Sequence, residues 1–287
     1  MRAEQITAPI TWHGEGPCWD PAGQRMLIVD MLAGAVVDLS SLESPRRYEV
    51  GSSVAAVVRP RVGGGFAVAT EHGFALFDEN FALERRLPEV VDDGGVRLNE
   101  GGCDSRGRFY CGSMAYDETP GAGTLYRLEP DGTVSTALEG VTISNGLQWS
   151  HDGTLAYYID TPTKRVDVFD FDASDGSFHN RRPRVELGGD VAGVPDGMAI
   201  DDDGGLWVAL WGGGAVRRYD ADGRLTEVVE VPGVTHTSAA AFGGPDLDTL
   251  YITSSRQHLP EDAEPEAGAV FAVKPGIRGA ALHPYAG

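Results

Sequence analysis

Residues 144–160 read SNGLQWSHDGTLAYYID. Asp152-Gly153 is a turn signal, and the run that follows, Ala156–Asp160, has the length and composition of a short pleated strand. The same turn-then-strand unit recurs along the chain. Asp20-Pro21-Ala22-Gly23 precedes Leu27–Asp30, Pro60-Arg61-Val62-Gly63 precedes Phe66–Thr70, and Asp104-Ser105-Arg106-Gly107 precedes Phe109–Ser113. Asp202-Asp203-Gly204 precedes Leu206–Leu210, and Asp246 precedes Leu250–Ser254. Taken from Asp20, the units begin at intervals of 40, 44, 48, 50 and 44 residues. Each continues into a second apolar alternation: Gly34–Leu39, Gly73–Phe77, Gly123–Leu128, Arg165–Phe169, Gly214–Tyr219 and Gly268–Val273. Period-2 runs bounded by turns are hairpins, and about 45 residues holding four short strands is the repeat of a propeller blade. The pattern predicts an all-β, six-bladed β-propeller forming a single domain over residues 1–287. The last hairpin lacks a following strand, whereas Ile6–Trp12 is a strand pattern without a blade. The N-terminal strand is therefore expected to join the last blade and close the ring, leaving no open sheet edge. Most of the 39 glycines fall to turn positions of these repeats.

Composition narrows the function. With 23 Lys+Arg against 43 Asp+Glu the net charge is -20, which repels phosphate backbones and anionic lipid, so neither nucleic acid nor a membrane surface is an expected partner. Neutral or cationic small molecules and metal ions remain. No basic segment followed by an apolar one opens the chain, no apolar run could span a bilayer, and only three cysteines are present, all of which predicts a cytoplasmic protein without disulfides. Cys18, Cys103 and Cys111 read as buried apolar groups. There is no GxSxG elbow for a serine hydrolase, and Asp201-Asp202-Asp203-Gly204 lacks the distal Glu of an EF-hand loop. Oligomeric state is left open.

Position in the repeat predicts proximity, because the innermost strand of every blade lines the central channel. Five to seven residues before the turn markers stand Glu15, Ala55, Asn99, Asn145, Asp196 and Ala240. Four of these six carry a carboxylate or amide. Acids and amides facing one another call for a positive charge between them. Glu15, Asp196 and the Asn145 side-chain oxygen form an oxygen-only set that suits one hard divalent ion, Ca2+ first, then Mg2+ or Mn2+. Such an ion would polarise a carbonyl and activate water.

The segments GEGPCW (14–19), RLNEG (97–101), GSM (112–114), SNGLQWS (144–150), PDGMAID (195–201), FGGPD (242–246), TSSR (253–256) and EAG (266–268) resemble, in order, the senescence-marker/gluconolactonase (regucalcin-like) family. The resemblance implies a metal-dependent sugar lactonase with metal ligands Glu15, Asn145 and Asp196, for which Zn2+ and Fe2+ are further candidate ions. It also implies substrate contacts from Arg97 and Asn99. An acidic residue shortly after the GSM motif contacts sugar hydroxyls in some members; that position falls on Asp117, flanked by Tyr116 and Glu118. Where the family pattern often has N-D-G-K, this chain has Asn99-Glu100-Gly101-Gly102, so a role for that lysine is missing.

The expected reaction is hydrolysis of a sugar lactone to the aldonic acid, with Asp196 as the catalytic residue that activates water. Arg97 and Asn99 fix the ring, and the segment 115–123 reads as a loop able to cover it. His13, two residues before Glu15, is read as a polar residue of the channel wall with a ligand role as the alternative; His236 is a further candidate for substrate contact. Two other functions compete: a phosphotriesterase or aryl-esterase on the same metal site, and a non-catalytic calcium-binding propeller.

Overall fold

In the computed structural model, which describes Met1–Gly287, each repeat folds as a four-stranded antiparallel meander. Blade one comprises Gly14–Asp20, Arg25–Asp30, Ala35–Asp38 and Arg46–Glu49, and blade two Ala55–Pro60, Phe66–Thr70, Phe74–Phe77 and Leu83–Arg86. Blade three follows with Val96–Cys103, Phe109–Ala115, Gly123–Leu128 and Val134–Val141, and blade four with Ser144–Trp149, Leu155–Asp160, Arg165–Asp172 and Ser177–Glu186. Blade five is Val194–Ile200, Leu206–Trp211, Ala215–Tyr219 and Leu225–Glu230. The inner strands are almost wholly buried and the outermost ones carry charge, as in Arg46–Glu49 (RRYE) and Leu83–Arg86 (LERR), which discourages edge pairing. The protein is thus an all-β, six-bladed propeller. Its helical content is two three-residue 3-10 turns, Met31–Ala33 and Thr161–Thr163, and no helix is long and apolar enough to cross a membrane.

Blade six is composite, as the ring-closure reading requires. Thr237–Gly243, Thr249–Ser254 and Phe271–Val273 are completed by Glu4–Gln5, in register Glu4 to Ala272 and Gln5 to Phe271. The closing strand is shorter and earlier than the predicted Ile6–Trp12. Beyond Ile6, whose N–H still reaches Val270 O at 2.9 Å, the Thr7 hydroxyl takes the Val270 N–H and Pro9 has no donor to offer. A second closure lies at the other end of the chain. After Arg278 the tail crosses the far end of the channel, bridging Asp201 at Gly279 and exchanging hydrogen bonds with Pro60 and Val62 at Tyr285. The Tyr285 ring is fully buried in the largest apolar cluster, shared by blades one to three. The three cysteines are free and buried.

Every inner strand breaks register once, near its start: between Glu15 and Cys18, Ala55 and Val57, Leu98 and Gly101, Asn145 and Leu147, Pro195 and Met198, and Thr237 and Ala240. A β-bulge re-aims the side chain it carries. The glycine that follows Asn145 or Asp196 is set by the neighbouring blade. A Cβ on Gly146 would stand 2.7 Å from Met198 Cβ, and one on Gly197 2.5 Å from Ala239 Cβ. In blade six the residues inside the bulge are Ser238, whose hydroxyl donates to Gly14 O at 2.6 Å, and Ala239; Ala240 lies beyond the bulge and lines a separate small cavity.

Candidate functional site

The bulges of blades one, three, four and five bring Glu15, Asn99, Asn145 and Asp196 to one cavity of about 280 Å³, which Arg97 also lines. All five side chains are buried. A single hydrogen-bond chain runs through three of them. Arg97 Nη1 donates to Asn99 Oδ1 at 2.6 Å, Asn99 Nδ2 to Asn145 Oδ1 at 2.8 Å, and Asn145 Nδ2 to Thr161 Oγ1 at 2.8 Å. Thr161 in turn donates to Pro195 O at 2.8 Å. Because a guanidinium can only donate, it orients both amides, leaving each oxygen on the side of its predecessor.

The carboxyls are not satisfied in this way. Glu15 accepts one bond, from Gly16 N–H at 3.1 Å. Burial pushes its carboxyl up to about 7, against the opposing effects of that N–H and of Arg97. Asp196 is pushed well above the usual carboxylate range, first by burial and then by the negative charges of Glu15 and Glu100, with Arg97 opposing. Glu100, buried in the same bulge as Asn99, is raised likewise by burial and by Glu15, and its Oε2 has no hydrogen-bond partner. Arg97 does not neutralise them through an ion pair: Nη1 reaches Met31 Sδ, Leu98 O and Asn99 Oδ1, while Nε has no partner. Unpaired buried acids of this kind are stabilised by a cation. No three His, Cys, Asp or Glu side chains form a metal cluster, and the amide oxygen of Asn145 lines the same cavity as the Glu15 and Asp196 carboxyls. The set fits a hard, oxygen-preferring ion and gives a thiophilic one no ligand.

Much of the rest of the wall comes from the ends of second strands and the connections that follow them. Met114, Glu118, Pro162, Trp211, Gln257 and His258 line the cavity beside His13. His13 Nδ1 lies 2.7 Å from Ser255 Oγ, and burial, aided by the charge of Arg97, takes its imidazole down to about 3, so it is neutral. Trp211 meets His13 edge-on at 5.7 Å and stacks on His236 at 4.2 Å; His236 stands behind that wall instead of lining the cavity. Asp117 stands apart from the other expected residues. It is exposed, and its Oδ1 accepts from Thr119 N–H at 3.0 Å and Thr119 Oγ1 at 2.7 Å. Glu118, next in sequence and held at a left-handed φ of 58°, lines the cavity instead.

Sequence reasoning missed Trp211, Gln257 and His258. The signal was their position: the residues at or just after the end of the second strand face the cavity in several blades, as Thr161 and Pro162 do in blade four.

The propeller thus gathers acids, amides and a guanidinium without an ion-pair partner around one cavity. The chain belongs to the SMP-30/gluconolactonase/LRE-like family, whose model matches residues 13–256. It is 36% identical to regucalcin of Danio rerio over 281 residues, 96% of this chain and 95% of that protein. Among solved structures, a luciferin-regenerating enzyme superposes with a TM-score of 0.89 at 31% identity, covering 99% of both chains. The calcium-binding protein regucalcin of Agrobacterium tumefaciens does so with a TM-score of 0.89 at 29% identity, covering 99% of this chain and 96% of its own.

Proposed function

We propose that this protein hydrolyses a sugar lactone to the aldonic acid, using one divalent cation held by Glu15, Asn145 and Asp196. The observation that carries the reading is the pairing, in one cavity, of two buried carboxyls lacking a counter-charge with an Arg97 that has no ion-pair partner. The gluconolactonase membership of the family supports it, and the description of a regucalcin as calcium-binding favours Ca2+. When bound, the cation supplies Lewis acidity toward the lactone carbonyl.

The chain's own residues do the rest. Arg97 and Asn99 hold the ring by its oxygens: the guanidinium retains donors that no carboxylate occupies, and Asn99 is fixed in place by Arg97 and Asn145. Asp196 takes a proton from the attacking water. Its burial beside Glu15 and Glu100 favours the protonated form that this transfer produces. Attack at the carbonyl carbon breaks the bond to the ring oxygen, which leaves with a proton as a hydroxyl, and the product is a hydroxy acid. Glu118 stands where a sugar hydroxyl can donate to it, and Trp211 and Met114 give the cavity an apolar side. The test is a panel of glucono-, galactono-, arabinono- and xylonolactones with a pH indicator, beside an aryl ester. The reading expects turnover of at least one lactone in preference to the ester; an ester preference would replace it with the esterase alternative.

A further inference from the structure

Arg97 is held from a second side by residues of two blades. Tyr116 follows the second strand of blade three, anchored by its N–H to Gly95 O at 2.9 Å, and its ring centroid lies 5.7 Å from Arg97 Cζ. Although 47% exposed, the ring is tied at its far end as well: the hydroxyl donates to Glu71 Oε1 at 2.6 Å. Glu71 follows the second strand of blade two, accepts a further hydrogen bond from the Ser53 hydroxyl, and through its carbonyl takes the Leu98 N–H at 2.8 Å. One residue therefore grips both the inner strand next to Arg97 and the aromatic ring beside it. The Glu71 carboxylate is engaged by hydroxyls and makes no contact with the guanidinium, so Arg97 meets a ring face in place of an anion. An aromatic face attracts a guanidinium without occupying its donors. A long side chain fixed this way at one face and by Asn99 at its tip keeps donors free for a ligand with little rotamer entropy left to lose.

We propose that Tyr116 and Glu71 form a latch that positions Arg97 for the substrate and holds the turn after Ala115 so that Glu118 lines the cavity. Both are positioning residues. The proposal rests on the lactonase reading for its kinetic consequence, while the latch itself can be measured without turnover. Four variants test it: Tyr116→Ala, Tyr116→Phe, Glu71→Ala and Glu71→Gln. Tyr116→Ala is expected to raise KM about three- to fivefold, the scale of a lost cation–π contact at a partly exposed ring, with kcat kept within about twofold. Glu71→Ala is expected to raise KM less, and Glu71→Gln, which keeps an acceptor for the hydroxyl, to restore it. Backbone hydrogen exchange of residues 115–122 is the second readout: faster in Tyr116→Phe and Glu71→Ala than in the wild type, and normal in Glu71→Gln. Unchanged exchange in Tyr116→Phe and Glu71→Ala would overturn the latch. Faster exchange with KM unmoved, or kcat and KM failing together with a fall in melting temperature, would overturn the positioning role. A wild-type protein that hydrolyses no lactone would count against the lactonase reading, and the exchange result would then decide the latch by itself.

Discussion

A carboxylate taken out of water with too few donors to replace it favours its proton, and Glu15 and Asp196 share that condition in one cavity. The consequence for stability has a definite sign. Glu15 moves from an ordinary 4.5 to about 7 on folding, so between those values the folded, metal-free protein binds more protons than the unfolded one. The stabilisation is complete below 4.5 and is lost as pH rises through about 7. Melting of chelator-treated protein should therefore occur at lower temperature at pH 8 than at pH 5, and Glu15→Gln should flatten the difference; equal slopes in both proteins would refute the assignment. Asp196→Asn is expected to lower kcat about 10²- to 10⁴-fold, the usual contribution of a positioned base, while leaving the circular dichroism of the β-sheets unchanged. The same variant should melt higher than wild type at pH 8 without metal, since the amide, unlike a carboxyl whose ionisation is opposed by burial in the folded state, gains nothing by ionising in the unfolded chain. At this scale the sequence was informative wherever a side chain sits in the repeat. Glu15, Asn99, Asn145 and Asp196 each stand near the start of an inner strand, five to seven residues before a turn marker that can be counted. Asp117 and Glu118 lie in an irregular turn, where a left-handed residue at 118 decides which carboxylate faces inward, and no periodicity reports that.

The functional element is the bulge at the start of each inner strand. It was not legible beforehand, because the motifs N-G and D-G read equally as turns; the glycine is there since a neighbouring blade approaches too closely for a Cβ. Gly197→Ala should push Ala239 and Asp196 apart, costing about 1–3 kcal/mol in urea unfolding, together with a loss of turnover. Retained activity with retained stability would show that the bulge does not set the position of Asp196. The hairpins themselves were evident from sequence, and their predicted edges agree with the observed strands to within a few residues. The N-terminal strand was located less well, because Thr7 replaces a backbone acceptor with its hydroxyl and the chain then follows blade six only intermittently.

On the scale of the whole molecule, the ring is closed twice: by Glu4–Gln5 within blade six, and by the tail that ties blade five to blade two across the far end of the channel. The tail has no repeat to announce it, so only its burial reveals it. Tyr285→Ala should cost about 3–5 kcal/mol, as for other fully buried aromatic residues, yet leave lactone turnover intact at temperatures where the protein is folded. A net charge of -20 leaves the site to supply its own local positive charge, which in the protein alone is Arg97. The central claim is that a cation at Glu15, Asn145 and Asp196 enables lactone hydrolysis. Initial rates on the preferred lactone, measured with metal-stripped protein before and after Ca2+, Mg2+ or Mn2+ is added back, test it most directly. The account predicts negligible turnover without metal, recovery on adding at least one of these ions, and no recovery in Asp196→Asn. Full activity of the stripped protein, or equal rescue of the variant, would contradict it.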